Sequence, residues 1–351
     1  MQRRILLLVT DLRIGGTPSV VRELALRLGK DSEFHVHVAC LDHGGPVGEQ
    51  LKSRGIAVTP LNAAGRFDLR VVGRLVRLIR REKIDTVLSF LVHANAAAAM
   101  ASYFTGGVRF LQSVQTTQPN PRWHWKVQHA IAHRAQMIVV PSPSAYDAAM
   151  QWAGVEKAKL RVIPNAVDIG EFDRIARQGN GRRIGFIGRL DPIKRIEDLI
   201  AAMPLLPDDY TLDIFGDGEM RKSLQSMISS LRLERRITLH GEIAAPGQAL
   251  SRIDLLVLPS DAEGFGLVLI EAMAAGVPVI GTNVPGICDV IEDGVSGLLC
   301  EPRTPPALAD ATARISNDPT LREKLIAGGI ERVKKFYDWS QVIQSYRDLL
   351  G

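Results

Sequence analysis

Two glutamates enclose a glycine-rich segment in the second half of the chain. Glu263 and Glu271 flank the sequence GFGLVLI, which follows an apolar run. The glycines let the backbone approach a ligand closely, and the amides of Gly266, Leu267 and Val268 fall where a helix is expected to begin. Such amides bind anions because they have no partner inside the helix. The segment predicts an anion site beside two carboxylates; the alternative is two surface acids at an ordinary strand-to-helix turn.

Two cations follow an earlier apolar run, in the sequence GRLDPIK. Arg189 and Lys194 stand five positions apart across a turn that contains Pro192. We therefore expect both side chains to point over the end of the preceding strand. Two cations at such an edge can neutralise a diphosphate without a metal ion. The alternative is a basic loop whose charges are solvated.

Two glycine motifs carry weaker signals. Gly15 and Gly16 follow the first apolar run and precede a helical segment, which suits a tight loop approaching a phosphate. The motif is not GxGxxG, and no convincing acid follows about 20 residues later, so a nicotinamide dehydrogenase is disfavoured. Gly216 and Asp217 belong to a GDG sequence after another apolar run. That motif is often only a turn between a strand and a helix.

Short apolar runs alternate with segments of helical length along the whole chain. Six of these runs in each half are strand candidates. Strands that alternate with helices predict parallel sheets covered by helices, so we expect an α/β protein with two sheets of six strands. Ligands bind such sheets at the carboxyl ends of the strands. Two sheets facing each other would place the site in the cleft between them.

A polar, glycine-rich stretch, RQGNGRR at 177–183, indicates a boundary between a domain over 1–165 and a second over 166–336. Residues 1–165 carry 22 Lys and Arg against 11 Asp and Glu, a net charge of +11. Residues 166–351 carry 21 against 27, a net charge of −6. The basic half indicates an anionic partner, which could be a phosphate-bearing acceptor, a membrane face or nucleic acid.

The composition favours a reducing compartment. Cys40, Cys288 and Cys300 form no paired motif, and we expect their thiols to act as small core hydrophobes. The N-terminal apolar run ends after five residues, short of the roughly 7–15 of a signal peptide. Residues 86–108 lack charge, but their polar and alanine content argues against a bilayer span. These features predict a cytoplasmic protein.

Two further segments could contact a membrane or an acceptor. Residues 70–83 (RVVGRLVRLIRREK) form a basic amphipathic segment, which can lie on anionic lipid or pack on a sheet with its basic face solvated. Trp123 and Trp125 share a segment with three histidines, His124, His129 and His133. No HExxH or nearby acid completes a metal site there, so we expect no metal. The aromatic rings and cations favour an acceptor or membrane contact, with burial of the tryptophans as the alternative.

Taken in order, these motifs resemble the family 4 glycosyltransferases of the GT-B fold over nearly the whole chain. The matching pieces are GG (15–16), PNAVDIGEF (164–172), GRLDPIK (188–194), GDG (216–218) and EGFGLVLIEAMAAGVPVI (263–280). The resemblance implies two Rossmann-like domains that face each other across a cleft. It also implies a C-terminal helix, over 337–351, that crosses back to the N-terminal domain.

The resemblance also implies roles for the site residues. Glu263 would lie beside the transferred sugar, where its carboxylate bonds hydroxyls or supports developing positive charge. The donor diphosphate would be bound by Gly15, Gly16, Arg189, Lys194, Gly266, Leu267 and Val268. The donor ribose and base would be bound by Glu271, Gly216 and Asp217.

The sequence departs from the family pattern at one position. Family members often carry a histidine near the donor sugar, in a small-x-His-Thr context that reads Ser113-Val114-Gln115-Thr116 here. Gln115 can donate and accept hydrogen bonds but cannot titrate. His93, at the end of the preceding strand, could take the role, or the position could vary with the sugar. The alternative for His93 is a loop histidine without chemistry.

The predicted function is therefore glycosyl transfer with retention of configuration, without a metal or other cofactor. The donor is a nucleotide-diphosphate sugar, and the acceptor is a glycolipid, a polysaccharide precursor or another cell-envelope molecule. The basic domain is expected to contact the inner face of an anionic membrane peripherally. Nucleic acid is not an expected partner, because aromatic residues are few and no recognition motif occurs. The alternatives are a nucleotide-sugar epimerase of the same architecture and a non-catalytic, nucleotide-binding bilobal module.

Overall fold

The computed structural model describes residues 2–65, 68–172, 181–243 and 245–351. The chain divides into two compact units. Unit 1 comprises Met1–Asn165 with Ser340–Gly351, and unit 2 comprises Ala166–Trp339. Most of the polar stretch proposed as the boundary, 177–183, lies outside the described residues.

Unit 1 is built on a seven-stranded parallel sheet in the order β3-β2-β1-β4-β5-β6-β7. Its strands are β1 (Arg3–Val9), β2 (Phe34–Cys40), β3 (Ala57–Pro60), β4 (Thr86–Phe90), β5 (Arg109–Ser113), β6 (Met137–Val140) and β7 (Leu160–Val162). Its helices are α1 (Gly16–Leu28), α2 (Pro46–Ser53), α3 (Arg70–Arg81), α4 (Val92–Ala101), α5 (Trp123–Ala132) and α6 (Pro143–Ala153).

Unit 2 is built on a six-stranded parallel sheet in the order β10-β9-β8-β11-β12-β13. Its strands are β8 (Arg183–Ile187), β9 (Thr211–Phe215), β10 (Ile237–Gly241), β11 (Leu255–Leu258), β12 (Val279–Thr282) and β13 (Leu298–Cys300). Its helices are α7 (Ile169–Phe172), α8 (Ile196–Ala202), α9 (Arg221–Ser230), α10 (Pro246–Leu250), α11 (Leu267–Ala274), α12 (Ile287–Val290), α13 (Pro305–Asn317) and α14 (Pro319–Phe336).

The prediction of two parallel α/β sheets is confirmed, but the expected count of six strands in the first sheet is wrong. The additional strand, β7, has only three residues, and of these only Leu160 is buried. Such a short edge strand has little apolar periodicity to reveal it. The inner strands are easier to recognise, because a strand buried on both faces reads as a continuous apolar run, as in Ile5–Val9 of β1.

Local sequence fixes where α6 begins and ends. The Ser142 hydroxyl caps α6 by accepting a hydrogen bond from the Ala145 amide at 3.1 Å, and Gly154 ends that helix in the left-handed conformation.

The last helix, α15 (Trp339–Leu350), places Ser340–Gly351 in unit 1, where the Arg109 guanidinium donates to the Leu349 carbonyl at 3.1 Å. Within the described residues, no helix combines the length and apolarity that a membrane span requires.

The cysteines are only partly as expected. Cys40 and Cys300 are buried, and burial raises the pKa of each thiol to about 11. Both therefore stay protonated and act as small hydrophobes. Cys288 is exposed, so its expected place in the core is wrong.

Candidate active site

Each sheet has a point where the strand order reverses, and several of the predicted site residues follow the strands at these points. In unit 2 the reversal lies between β8 and β11, which pair in parallel. The loop after β8 contains Arg189 and Lys194, and the loop after β11 contains Glu263. Open parallel sheets bind ligands outside the carboxyl ends of strands at such reversals. The residues predicted from two distant motifs therefore lie at one sheet edge.

An ion pair joins the two loops of unit 2. The Lys194 ammonium contacts the Glu263 carboxylate, and the two side chains are only 17% and 11% exposed. The Ser260 hydroxyl donates to the same carboxylate oxygen at 2.8 Å. The Asp261 amide donates to the Ile193 carbonyl at 2.8 Å, which holds the backbones together. Lys194 and Glu263 were predicted separately, and the structure places them in direct contact.

Arg195, directly after Lys194, has a different arrangement. Its guanidinium donates to both carboxylate oxygens of Asp198, at 2.7 and 2.9 Å, and pairs with Glu197 at 2.8 Å. The hydrogen bond with Asp198 is the main reason that the pKa of Arg195 is raised. Arg195 itself adopts left-handed backbone angles between a short 3-10 turn and α8. Its charge is thus paired mainly with the first turn of α8.

Arg189 does not join the ion pair of Lys194 and Glu263. Its side chain is 73% exposed and pairs with Asp191 at 2.9 Å. The sequence predicted that Arg189 and Lys194 would both point over the strand end. In this structure Lys194 is directed to Glu263, whereas Arg189 extends into solvent beside its own loop.

The GDG turn packs directly against the loop that carries Arg189. The Leu190 amide donates to the Asp217 carbonyl at 2.9 Å. Gly216 has φ +134°, and a Cβ atom there would lie 1.9 Å from the Gly188 carbonyl oxygen. Only glycine fits at this contact. The Asp217 carboxylate accepts the Gly218 amide at 2.7 Å, so the visible role of this turn is to support the neighbouring loop.

The segment after Glu263 turns into α11 as the motif predicted. Gly266 takes a left-handed conformation (φ +79°) and α11 begins at Leu267, with Glu271 in its second turn. The amides of Gly266, Leu267 and Val268 therefore lie at the start of an eight-residue helix, beside the loop of Glu263. Gly286 packs so closely that a Cβ atom there would lie 2.2 Å from the Glu263 carbonyl oxygen. This contact holds the Glu263 backbone in place.

The sheet of unit 1 reverses between β1 and β4. Gly15 precedes α1 with extended backbone angles, and its carbonyl accepts the Ser19 amide at 3.0 Å. Gly16 is the exposed first residue of α1. Since Gly15 needs no left-handed conformation and a Cβ atom there would meet nothing closer than 3.7 Å, neither space nor backbone geometry demands glycine at this position.

Gln115 and His93 lie after adjacent strands of unit 1. The Gln115 side chain donates to the Ser113 hydroxyl at 2.7 Å and accepts from the Asn165 amide at 3.1 Å. His93 lies in the first turn of α4, and its ring packs against Trp123 with centroids 5.5 Å apart. The interpretation of His93 as a loop residue is wrong, because α4 starts directly after Leu91.

Sequence reasoning missed a buried amide network beneath Gln115. Asn95 accepts the Ser89 hydroxyl at 2.7 Å and donates to the Ser113 carbonyl and to Gln128, each at 3.1 Å. Gln128 in turn donates to Gln112 at 2.7 Å. Every member is almost fully buried. Polar residues inside apolar runs were the available signal, but their partners are not adjacent in sequence.

The three histidines for which no metal site was expected, His124, His129 and His133, each have a different hydrogen-bond partner. His129 bonds the Ala153 carbonyl at 2.8 Å, and His133 faces the Tyr103 hydroxyl at 3.4 Å. His124 bonds the Gln118 carbonyl at 3.2 Å; burial lowers its pKa, and this hydrogen bond opposes the shift. Over the described ranges, no group of three or more potential ligands is placed to hold a metal ion.

A solved structure has the same architecture over the full length of the chain. Anabaena HepE in complex with UDP-glucose has a TM-score of 0.89, with 99% of each chain covered at 23% identity. This likeness shows the fold, and the fold is that of the GT-B glycosyltransferases.

Two family models match consecutive parts of the sequence. The model described as Glycosyltransferase Family 4 matches residues 14–171, and Glycosyl transferases group 1 matches residues 170–332. The chain therefore belongs to the family 4 glycosyltransferases, and it is an enzyme of the glycosyltransferase class.

Characterised relatives act on different acceptors. Glycogen synthase of Mycobacterium tuberculosis is 28% identical, with 75% of this chain and 70% of the relative covered. D-inositol 3-phosphate glycosyltransferase of Paenarthrobacter aurescens is 27% identical, with 96% and 94% covered. The names of these two relatives indicate two different targets, a polysaccharide and a phosphorylated small molecule.

Proposed function

We propose that this enzyme transfers a sugar from a nucleotide-diphosphate donor, with retention of configuration and without a metal ion. The observation that carries the proposal is the ion pair of Lys194 and Glu263 at the strand reversal of unit 2, beside the first amides of α11. A cation, a carboxylate and helix-start amides together suit a ligand that is anionic at one end and hydroxylated at the other.

In the proposed mechanism Lys194 exchanges partners when the donor binds. The ammonium group moves from Glu263 to an oxygen of the donor diphosphate, where it stabilises the negative charge that grows on the leaving group. Arg189, exposed on the same loop, turns to the same diphosphate. The amides of Gly266, Leu267 and Val268 bond the remaining phosphate oxygens, and the helix dipole favours their charge.

Glu263 then becomes available to the sugar. Its carboxylate, still held by Ser260, accepts hydrogen bonds from sugar hydroxyls and stabilises positive charge at the reacting carbon. Glu271, which lies on α11, forms hydrogen bonds with the ribose hydroxyls. From unit 1, Gly15 and Gly16 close over the donor, and Gln115 or His93 contacts its sugar. We assign no protein nucleophile.

We also propose a donor to test first and a class of acceptor. UDP-glucose is the first donor to test, because HepE is described in complex with it. The acceptor is a glycolipid, polysaccharide precursor or other cell-envelope molecule, reached at the inner face of the membrane. Support for the membrane contact comes from α3, which buries its apolar side and exposes Arg77, Arg80 and Arg81.

Transfer assays test this function. Sugar transfer from UDP-glucose, or from another nucleotide-diphosphate sugar in a panel, should persist in excess EDTA. Glu271→Gln should reduce kcat/KM about 10–100-fold, since it removes a charged hydrogen-bond partner of the ribose. Glu234→Gln, at an exposed acid of the same unit, should leave transfer unchanged. Loss of activity in EDTA, or full activity of Glu271→Gln, would refute the assignment. Release of an altered sugar without any acceptor would instead identify an epimerase.

Vesicle sedimentation tests the membrane contact. Binding to phosphatidylglycerol vesicles should fall steeply between low and physiological salt, and charge reversal at Arg77 and Arg81 should weaken it further. Charge reversal at Lys222, an exposed cation of unit 2, should have no such effect. Binding that ignores both salt and the α3 substitutions would exclude this helix as the contact.

A further inference from the structure

Trp123 is an exposed tryptophan whose position is not explained by packing in the core. It is the first residue of α5, and 44% of it is exposed. Trp125, two residues later, is only 3% exposed. The Trp125 indole donates to the Gln118 carbonyl at 2.7 Å and packs on Trp152, with ring centroids 5.3 Å apart. The segment thus anchors itself with one indole and presents the other at the surface.

Two imidazoles fix the orientation of the Trp123 ring. His93 packs against it at a centroid distance of 5.5 Å and a tilt of 53°, and His124 meets it edge-on at 6.0 Å. His124 is itself bonded to the Gln118 carbonyl at 3.2 Å. A large exposed ring held between neighbours is a preformed apolar surface, because its orientation is set before any ligand arrives.

The exposed ring lies on a helix that follows the carboxyl end of β5, the edge at which open parallel sheets bind ligands. The helices that carry His93 and Trp123 follow β4 and β5, which pair in parallel, and β4 adjoins β1 at the strand reversal. Gln115 belongs to the same connection between β5 and α5 that leads to Trp123. The connection also carries exposed Arg122, and Lys126 is exposed in the first turn of α5.

We propose that Trp123 and His93 form an acceptor subsite, the Trp123 platform, on which a pyranose ring of the acceptor stacks. This inference deepens the proposed function and rests on it, since it names the acceptor as a carbohydrate at this position. A pyranose has an apolar face of C–H groups and an edge of hydroxyls. An indole covers that face, while the exposed cations of Arg122 and Lys126 offer polar contacts at its rim.

Fluorine NMR of the full chain tests the platform without needing turnover. The protein has four tryptophans, and 5-fluorotryptophan labelling gives a resonance for each; the one lost in Trp123→Phe belongs to Trp123. The probes are the methyl α-pyranosides of glucose, mannose, galactose and N-acetylglucosamine. At least one should shift the Trp123 resonance saturably, with smaller changes at Trp125 and Trp152. Trp123→Ala should weaken binding of that glycoside at least about tenfold.

A matched control separates stacking from general exposure. Phe104 is 61% exposed just beyond the far end of α4, so Phe104→Ala should bind the same glycoside as the unsubstituted protein does. If no glycoside shifts the Trp123 resonance, or if only phosphatidylglycerol vesicles do, the platform is refuted. A Trp123 shift in a protein that transfers no sugar would refute the proposed function alone. Transfer without a Trp123 shift would refute the platform alone.

Discussion

The two units present different chemistry at equivalent edges of similar sheets. In unit 2 the strand reversal carries charged groups, with Lys194 paired to Glu263 and Arg195 to Asp198. In unit 1 the buried side chains after β4 are neutral amides, such as Asn95, and the exposed ring of Trp123 lies on α5, while the charged pair of Arg13 and Asp42 follows β1 and β2. The fold supplies the same edge twice, and the loop residues decide what each edge can bind.

The difference follows from what each kind of group costs to bury. A buried charge needs a partner, and unit 2 supplies one to Lys194 within the chain itself. Such a pair can be exchanged for an anionic ligand. Buried amides need only complete hydrogen bonding, and the network around Asn95 provides it without net charge. The loops after β8 and β11 in unit 2 therefore suit a diphosphate, and the side of unit 1 that follows β4 and β5 suits neutral hydroxyls.

Removal of the Lys194 cation of unit 2 should weaken the enzyme most. Lys194→Ala should lower kcat/KM by about 10²–10³-fold, because the developing charge on the leaving diphosphate loses its stabilising group. It should also lower the free energy of unfolding by about 3–5 kcal/mol, since the Glu263 carboxylate stays buried without this partner. Steady-state kinetics and urea unfolding measure the two effects.

A double variant separates the two consequences. Lys194→Met combined with Glu263→Gln removes both charges, so most of the stability should return while transfer stays low. Lys222→Ala serves as the control, since this lysine is exposed on α9. If Lys194→Ala kept a kcat/KM within about threefold of the unsubstituted enzyme, Lys194 would not be the group that stabilises the leaving diphosphate.

The glycine loops of the two units should respond differently to alanine. Gly216→Ala should cost about 1–3 kcal/mol or more, because its φ of +134° and its contact with Gly188 exclude a Cβ atom. Gly15→Ala should change stability by less than about 0.5 kcal/mol. If Gly15 closes over the donor, the same substitution should raise the donor KM. A stable Gly216→Ala variant, or a Gly15→Ala variant with unchanged donor KM, would contradict this distinction.

Disruption of the amide network of unit 1 should lower stability without affecting nucleotide binding. Asn95→Leu removes one hydrogen-bond partner each from Ser89 and Gln128. This loss should lower the free energy of unfolding by about 1–3 kcal/mol. We expect UDP to raise the melting temperature of this variant by as much as it raises that of the unsubstituted protein. Gln50→Leu, at an exposed position on α2, is the control. Loss of UDP binding in Asn95→Leu would show that the two edges are not independent.

The smallest expected effect is a pH dependence confined to unit 1. Burial lowers the pKa of His37 below its ordinary value of 6.5, and its ring bonds the Thr59 hydroxyl at 2.8 Å. The unfolded chain therefore binds the proton more readily, so this contribution to stability is present above pH 6.5 and is lost as the pH falls through the folded pKa. His37→Leu should flatten that part of the curve of unfolding free energy against pH. An unchanged curve would exclude His37 as its source.

The sequence predicted most of the fold because buried parallel strands read as apolar runs. It missed β7, whose three residues include two that are not buried. Strand order follows from chain crossovers, which no local pattern encodes, so the reversals at β1–β4 and β8–β11 became visible only in the structure.

The candidate site was predicted as residues and not as contacts. Lys194 and Glu263 were each recognised from their motifs, but they are 69 positions apart, and no local pattern reveals the ion pair between them. Ser260 was missed because a serine in a loop carries no signal of its own. Arg189 instead pairs with Asp191, two residues away, and stays 73% exposed in this structure.

A crystal structure with UDP-glucose bound would show whether Lys194 exchanges partners when the donor binds. We expect the Lys194 ammonium to leave Glu263 and contact the diphosphate, whose remaining oxygens meet the amides of Gly266, Leu267 and Val268. A nucleotide bound elsewhere, with Lys194 still bonded to Glu263, would contradict it.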